Sequence, residues 1–212
     1  MTAKQTQAIL IHGMGRSPAS MLILAARLRA AGIHPRFFAY SAAFEGWETC
    51  VNRLEKFINQ HSRDDDFIII GHSLGTVLTR GVLSRLTHKP IACFFLAPPT
   101  KACVAAQRFA PLRLYKMLTG EMGQLLASSL FMNSLPPPDV PTKIYAGAGG
   151  LRGRYSPFGE QLNDGVLAVE ETVLPAIPSE TIAAVHTFIM NKKVIADDIV
   201  KLANAARQYN KV

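Results

Sequence analysis

Short, continuous apolar runs constrain the fold of this chain more than any other feature of its sequence. Residues 67–70 and 91–96 are apolar at every position, so neither run alternates between apolar and polar side chains. Runs of this length are typical of strands buried on both faces, as in a parallel sheet between two layers of helices. We therefore predict strands at residues 8–11, 36–40, 67–70, 91–96, 143–146 and 181–185.

Helix signals fill the segments between these strands. Ser17 and Pro18 form an N-cap followed by a proline at the first helical position, and Gly32 marks the end of the same helix. Strands that alternate with helices predict an α/β fold, a three-layer sandwich with a mostly parallel sheet of about six strands and helices on both faces. Further helices are predicted around residues 51–58, from just after Ser73, and over residues 194–209.

Length and composition favour a single folded domain over residues 1–212. Hydrophobic residues make up 49% of the chain and charged residues only 18%, which excludes intrinsic disorder. The three cysteines, Cys50, Cys93 and Cys103, show no paired spacing. They indicate neither a disulfide framework nor a zinc site, and they favour a reducing, cytoplasmic setting.

Membrane and export signals are weak. The first residues are polar and lack a long apolar run, so no signal peptide is expected. Residues 122–138 come nearest to a membrane span, but three consecutive prolines and several polar residues interrupt them. We expect at most peripheral contact with a membrane.

The sequence Gly-His-Ser-Leu-Gly at residues 71–75 lies between a predicted strand and a helical pattern. In a strand-to-helix turn this tight, the central residue takes strained backbone angles, and glycines leave room where β-carbons would clash. Ser73 would then present its hydroxyl at the N-terminus of a helix, where negative charge is favoured. The alternative for Ser73 is a helix-capping serine in an ordinary glycine-rich turn.

With this context, the chain resembles the α/β-hydrolase family, and most of all its small lipase and esterase branch. Residues 71–75 match the family's G-H-S-x-G nucleophile elbow, and residues 11–15 resemble its oxyanion loop. The resemblance implies that the backbone N–H groups of Met14 and Leu74 form an oxyanion hole. It also implies a reduced sheet, because the first predicted strand already leads into the oxyanion loop.

A serine nucleophile needs a base, and the base needs an orienting acid. Active-site groups of an open parallel sheet lie beyond the carboxyl ends of its strands. His186 follows the last predicted strand, and it completes the order serine, acid, histidine that the family implies. His186 is therefore the expected base, and His12 and His72, beside the two motifs, are candidates for substrate binding.

Asp164 is the expected acid, because it follows the predicted strand 143–146 on the correct side of the sheet. The Asp-Gly-Val sequence at residues 164–166 also resembles the family's acid position. Asp-Gly is a common turn signal, so a surface turn is the alternative. Glu160 is the second candidate for the acid.

The formal charge of +8 is concentrated in the first 120 residues. The family resemblance implies a small cap over the site at residues 101–135. This segment contains Arg108 and Arg113 among apolar residues and has no acid before Glu121. Both arginines are candidates for binding an anionic or lipid-like ester, although a solvated helix with one buried face fits the same pattern. No nucleic-acid motif is present, so nucleic acid is not an expected partner.

The sequence therefore predicts a serine hydrolase that cleaves carboxylic esters of small molecules and needs no metal or organic cofactor. Ser73, His186 and Asp164 would form its catalytic triad. The alternatives are an acyltransferase, a thioesterase or an amidase on the same triad, or a non-catalytic binding module that retains the fold. The oligomeric state is left open.

Overall fold

The computed structural model describes residues 6–62 and 66–209. Within these residues, six strands form one sheet in the order β2-β1-β3-β4-β5-β6, and every neighbouring pair is parallel. This confirms the predicted α/β class and strand number. The strands are β1 (Gln7–Ile11), β2 (His34–Phe38), β3 (Phe67–His72), β4 (Ala92–Leu96), β5 (Thr142–Gly147) and β6 (Ser179–Ile182).

Helices and short 3-10 turns connect the strands. They are a 3-10 turn at Pro18–Met21, α1 (Leu22–Ala30), α2 (Trp47–His61), α3 (Leu74–Leu83), α4 (Val104–Phe109), α5 (Arg113–Ala127), α6 (Ser129–Ser134), two 3-10 turns at Val169–Glu171 and His186–Asn191, and α7 (Lys193–Tyr209). No helix in the part of the chain that the structure describes is both long and apolar enough to span a lipid bilayer.

Two predicted strands are displaced in the structure. The strand predicted at residues 36–40 runs two residues earlier and contains Pro35, which an edge strand tolerates because one side of its backbone has no partner. The strand predicted at residues 181–185 ends at Ile182, where the chain turns back so that the Ala184 N–H bonds to the Ile182 carbonyl at 2.7 Å. The apolar run after Ile182 therefore reflects packing rather than strand pairing.

Alternate side chains of the central strands fill two separate apolar clusters, one on each face of the sheet. Ile9 and Ile69 point into the cluster that includes residues of α2 and α3, whereas Leu10 and Ile70 point into the cluster with α1 and α7. Burial on both faces explains why these strands are continuously apolar in sequence. It also holds the carboxyl ends of the strands in one plane, which determines where the following loops meet.

Arg80 in α3 ties down both ends of the segment 101–135. Its buried guanidinium donates to the carbonyls of Thr100 at 3.3 Å and Pro136 at 3.1 Å, and to that of Leu135. Burial lowers the pKa of Arg80 from its ordinary value. Thr100 precedes the segment and Leu135 ends it. The Arg80 side chain therefore attaches both ends of residues 101–135 to α3, the helix that follows Ser73.

Arg80→Met should lower the free energy of unfolding by about 3 kcal/mol, because the two buried carbonyls of Thr100 and Leu135 and the partly buried one of Pro136 lose their donor. Urea unfolding followed by the fluorescence of Trp47, the one tryptophan, measures the change. The matched control is Arg85→Met, which removes a partly exposed arginine paired with Glu48 and should cost less than about 1 kcal/mol. Equal losses in the two variants would contradict the role assigned to Arg80.

Candidate active site

Ser73 lies alone between β3 and α3 and has a strained backbone. Its φ of 50° and ψ of −119° are angles that a non-glycine residue rarely adopts. The Ser73 N–H donates to the Leu96 carbonyl at 2.9 Å, and the Thr76 hydroxyl donates to the Ser73 carbonyl at 2.7 Å. The strained turn is thus held by β4 on one side and by α3 on the other, as expected for a nucleophile elbow.

The two glycines of the elbow are required by close backbone contacts. A β-carbon on Gly71 would lie 2.8 Å from both the Gly75 carbonyl carbon and the Thr76 nitrogen. A β-carbon on Gly75 would collide with the Ile11 carbonyl oxygen and would lie 2.9 Å from that of His12. Glycine at both positions lets α3 begin directly against the ends of β1 and β3.

The loop after β1 runs beside Ser73. A β-carbon on Gly13 would lie only 3.2 Å from that of Ser73. Within the described residues, the N–H of Met14 donates no backbone hydrogen bond. Leu74 is the first residue of α3, so its N–H has no acceptor within that helix. Both N–H groups that the sequence predicts for an oxyanion hole therefore lie in segments next to Ser73.

Asp164 and His186 are in direct contact. The Nδ1–H of His186 donates to Asp164 Oδ2 at 2.7 Å, and the His186 backbone N–H donates to the Asp164 carbonyl at 2.9 Å. The N–H groups of Val166 and Leu167 donate to the other carboxylate oxygen at 2.9 and 2.7 Å. The Asp164 side chain is completely buried, and these donors fix its orientation.

A glycine makes room for this acid after β5. A β-carbon on Gly147 would lie 2.6 Å from that of Asp164 and 2.9 Å from the Ala184 carbonyl oxygen. The loop that carries Asp164 can therefore lie against the end of β5 and the start of the His186 loop. Glu160, the other candidate acid, is exposed, and within the described residues it makes no hydrogen bond to His186.

His72, the residue before Ser73, is buried and contacts His186. Its Nε2–H donates to the His186 carbonyl at 3.0 Å, and the two rings are 5.0 Å apart. Burial, followed by the nearby His186, lowers the pKa of His72 to about 3. Among the described residues, no hydrogen bond joins the Ser73 hydroxyl to His186. Catalytic hydrogen bonds are often long before substrate binds. The absence of this hydrogen bond is therefore compatible with Ser73 as nucleophile and His186 as base.

His12 is buried beneath the loop after β1. Its Nδ1–H donates to the Gly13 carbonyl at 2.9 Å, and its ring stacks on Tyr40 at 4.4 Å. The Tyr40 hydroxyl donates to the His12 carbonyl at 2.9 Å. Burial lowers the pKa of His12. The rings of His12 and His72 are thus buried, and they hydrogen-bond to the backbone carbonyls of Gly13 and His186.

The two arginines predicted for substrate binding lie on the surface. Arg108 is in α4 and Arg113 begins α5, and both are exposed. Cys103, in the same segment, is the alternative nucleophile that a cysteine could offer, but it is buried, and burial raises the pKa of its thiol to about 11. A thiol with so high a pKa is protonated near neutral pH and is a poor nucleophile.

Sequence reasoning missed Tyr40 and Gly147 as supports of the site. Gly147 had a usable signal, because it begins a glycine-rich stretch, Gly-Ala-Gly-Gly, directly after a predicted strand. Tyr40 had none, since it lies within a predicted strand. In residues 6–62 and 66–209, no group of three or more histidine, cysteine or acidic side chains is arranged to hold a metal ion.

A cavity of about 580 Å³ borders the loop after β1. Gly15, Arg16 and Ser17 line it together with Ala19 and Ser20, and it is open to solvent. A cavity of about 570 Å³ lies at the opposite edge of the sheet, where Cys93, Thr142 and residues of α7 line it. Only the first of these two cavities adjoins the loop beside Ser73.

Comparison with known proteins agrees with this architecture. A model of the alpha/beta hydrolase family matches residues 8–201, whereas no curated protein sequence matches the chain. The mature lipase BlEst2 of Bacillus licheniformis superposes with a TM-score of 0.75 at 17% identity, covering 96% of this chain and 93% of that one. A metagenomic carboxyl esterase gives 0.66 at 14% identity, covering 100% and 78%. The RedJ thioesterase of Streptomyces coelicolor gives 0.62 at 13%, covering 96% and 86%.

Identities this low indicate a shared fold and nothing finer about activity. The family model, by contrast, extends from β1 into α7 and so includes both motifs that the sequence singled out. The chain belongs to the alpha/beta hydrolase family.

Proposed function

We propose that the protein is a serine hydrolase that cleaves carboxylic esters, with Ser73 as nucleophile, His186 as general base and Asp164 as the orienting acid. The observation that carries the proposal is the 2.7 Å contact between Asp164 and His186, at the edge of the sheet where Ser73 lies in its strained turn. A buried carboxylate that holds a histidine beside a serine nucleophile is an arrangement suited to acyl transfer.

The hydrogen bond to Asp164 determines which nitrogen of His186 acts as the base. Because Nδ1–H donates to the carboxylate, Nε2 is the unprotonated nitrogen that can accept a proton. In the proposed mechanism, Nε2 removes the Ser73 proton as the hydroxyl oxygen attacks the ester carbonyl. His186 then returns that proton to the departing alcohol. Water then attacks the acyl-enzyme while His186 Nε2 removes its proton. His186 returns that proton to Ser73, and the carboxylic acid product is released.

The N–H groups of Met14 and Leu74 are proposed to stabilise the negative charge on the tetrahedral intermediate. Two donors that are fixed before substrate arrives need no reorganisation as charge develops. Leu74 also begins α3, whose dipole favours a negative charge at that end. The hydrogen bond from Tyr40 to the His12 carbonyl would keep the Met14 loop in place.

The four substrate-binding candidates divide into two proposed roles. His12 and His72 act as positioning residues, because their rings are buried and contact the oxyanion loop and the His186 backbone. Arg108 and Arg113 are proposed to attract an anionic or lipid-like ester to the site from the surface. A reducing, cytoplasmic setting belongs to the same proposal, since all three cysteines are free thiols.

A fluorophosphonate probe should label the protein with one equivalent per chain, because it traps an activated serine. Ser73→Ala should abolish labelling, as measured by intact-protein mass spectrometry. The matched control is Ser84→Ala, which removes an exposed serine at the end of α3 and should leave labelling unchanged. If the Ser73→Ala variant were labelled as fully as the parent, Ser73 would not be the nucleophile.

Asp164→Asn should lower kcat for p-nitrophenyl butyrate by roughly 10⁴-fold, because the amide favours the wrong tautomer of the base. Steady-state kinetics at neutral pH measures the loss. Asp139→Asn serves as the control, because Asp139 pairs with Lys89 far from His186. Glu160→Gln should also retain full activity, and a large loss there with little loss in Asp164→Asn would reverse the assignment of the acid. A matched thioester in the same assay tests the thioesterase alternative.

His72 should make folding stability fall as the solution becomes acidic. Its pKa in the folded protein, about 3, is below the ordinary histidine value of 6.5, so between these values the unfolded chain binds more protons than the folded one. The contribution of neutral His72 to the free energy of unfolding is therefore fully present above pH 6.5. It declines by about 1.4 kcal/mol per pH unit as the pH falls toward 3.

Urea unfolding of the wild type and His72→Gln at several pH values isolates this contribution, because all other groups titrate in both proteins. The wild type should show the steeper pH dependence below pH 6.5. Above that value the two slopes should agree, which is the internal control. Parallel curves over the whole acidic range would mean that His72 becomes protonated without cost.

A further inference from the structure

One face of α5 presents large apolar side chains to solvent. Leu114, Met117 and Leu118 are spaced as neighbours on a single helical face, and each is at least 60% exposed. Leu112 just before the helix and Phe109 at the end of α4 extend the same exposed segment. We call these five residues the α4–α5 face. Contiguous apolar exposure of this kind is unusual on a protein surface unless another surface covers it.

Other residues anchor α5 to the protein. Met122 and Leu126, which follow the kink at Gly120, are buried in the core cluster that includes residues of α2 and α3, and Thr119 before the kink is buried as well. The ring of Tyr115 is half-buried and stacks on that of Phe109 at 6.2 Å. Phe109 thus contacts a half-buried neighbour, whereas Leu112, Leu114, Met117 and Leu118 are more than half exposed.

Four cations surround the α4–α5 face. Lys101, Arg108, Arg113 and Lys116 are all exposed, and residues 97–120 contain no acid. In the described residues, none of the four forms an ion pair with a carboxylate. The segment thus combines apolar side chains with uncompensated positive charge.

The face lies at the edge of the sheet that carries Ser73. The segment leaves the carboxyl end of β4, and α5 bends at Gly120, which has a φ of 56°. A β-carbon on Gly120 would lie 2.7 Å from the Ala42 carbonyl oxygen, in the chain that follows β2. Chain segments that follow parallel strands meet at one edge of a sheet. The α4–α5 face is therefore on the substrate side of the molecule.

We propose that the α4–α5 face docks the protein onto an anionic lipid bilayer. Apolar side chains enter the boundary between headgroups and acyl chains, and the surrounding lysines and arginines bind lipid phosphates. Charge complementarity selects this occupant. A second copy of the chain, joined by a two-fold axis, would bring the same four cations against each other. Nucleic acid would satisfy the cations but would leave the five apolar side chains in water.

Docking does not depend on the proposed hydrolase activity, so it is tested with the Ser73→Ala variant. Co-sedimentation with phosphatidylcholine vesicles, with and without phosphatidylglycerol, measures the partition coefficient at low and high salt. We expect binding to the anionic vesicles, weak binding to the neutral ones, and a loss of affinity as salt screens the cations. Equal binding to both vesicle types, or none to either, would overturn the proposal whatever the enzyme assays show.

Two double variants separate the charge from the apolar contribution. R113Q/K116Q should weaken binding to anionic vesicles by about 25-fold, taking about 5-fold for each charge. L114Q/M117Q should weaken binding to both vesicle types. Thermal unfolding should be unchanged in both, because the four side chains are exposed.

The matched controls carry the same substitutions elsewhere on the surface. R29Q/K56Q removes two exposed charges outside residues 101–135, and L22Q/I23Q removes two exposed apolar side chains of α1. Both should bind as the parent does. Losses equal to those of the α4–α5 variants would show that net charge or general hydrophobicity governs binding. A stable dimer in sedimentation velocity that L114Q/M117Q dissociates would assign the face to self-association instead.

Discussion

The close approach of α3 to the ends of β1 and β3 is the constraint on which the candidate site depends. Gly75 touches the carbonyls that end β1, and Gly71 touches the first turn of α3, so no side chain could occupy either position. This contact forces Ser73 into its positive φ and brings the loop after β1 alongside it. The strain at Ser73 costs on the order of 1–3 kcal/mol, and the packing of β1, β3 and α3 residues in the core offsets it. One backbone contact thus positions both the candidate nucleophile and its candidate oxyanion donors.

The second half of the site depends on loops rather than on regular elements. Asp164 lies in the long loop after β5, and His186 follows β6 closely, at the start of the 3-10 turn His186–Asn191. Their geometry is maintained by hydrogen bonds between the two loops, including the His186 N–H to the Asp164 carbonyl, and by the contact that Gly147 permits. The acid is further held by two N–H groups of its own loop. The elbow is thus held by close backbone contacts, whereas the candidate base His186 is positioned by a small network of hydrogen bonds.

Most of the fold could be predicted because burial on both faces leaves a strong signal. The sequence predicts β1, β3, β4 and β5 to within two residues, since a short and largely apolar run is typical of a strand between two helical layers; β5 departs from this only at Thr142, Lys143 and its final Gly147. The edge strand β2 was displaced because proline usually interrupts a strand, whereas an unpaired edge accepts Pro35. In β6, packing of Ala184 against the loop after β5 mimicked strand pairing. The sequence predicts that Asp164 and His186 lie on the same side of the sheet. It does not predict their hydrogen bond, because no periodicity relates two residues in loops that are 22 residues apart.

The segment between β4 and β5 is firmly attached to the protein but exposes many of its side chains to solvent. Arg80 binds carbonyls at both of its ends, and buried side chains such as Met122 and Leu126 pack it into the core with residues of α3. The exposed side chains of the segment can change without disturbing the Ser73 turn, because buried residues such as Met122 and Leu126 supply its packing against the core. The unpaired cations and a group of exposed apolar side chains both occur within this segment. The exposed surface of the segment can therefore be altered by substitution, while the strained turn at Ser73 and the hydrogen bonds between the Asp164 and His186 loops are kept unchanged.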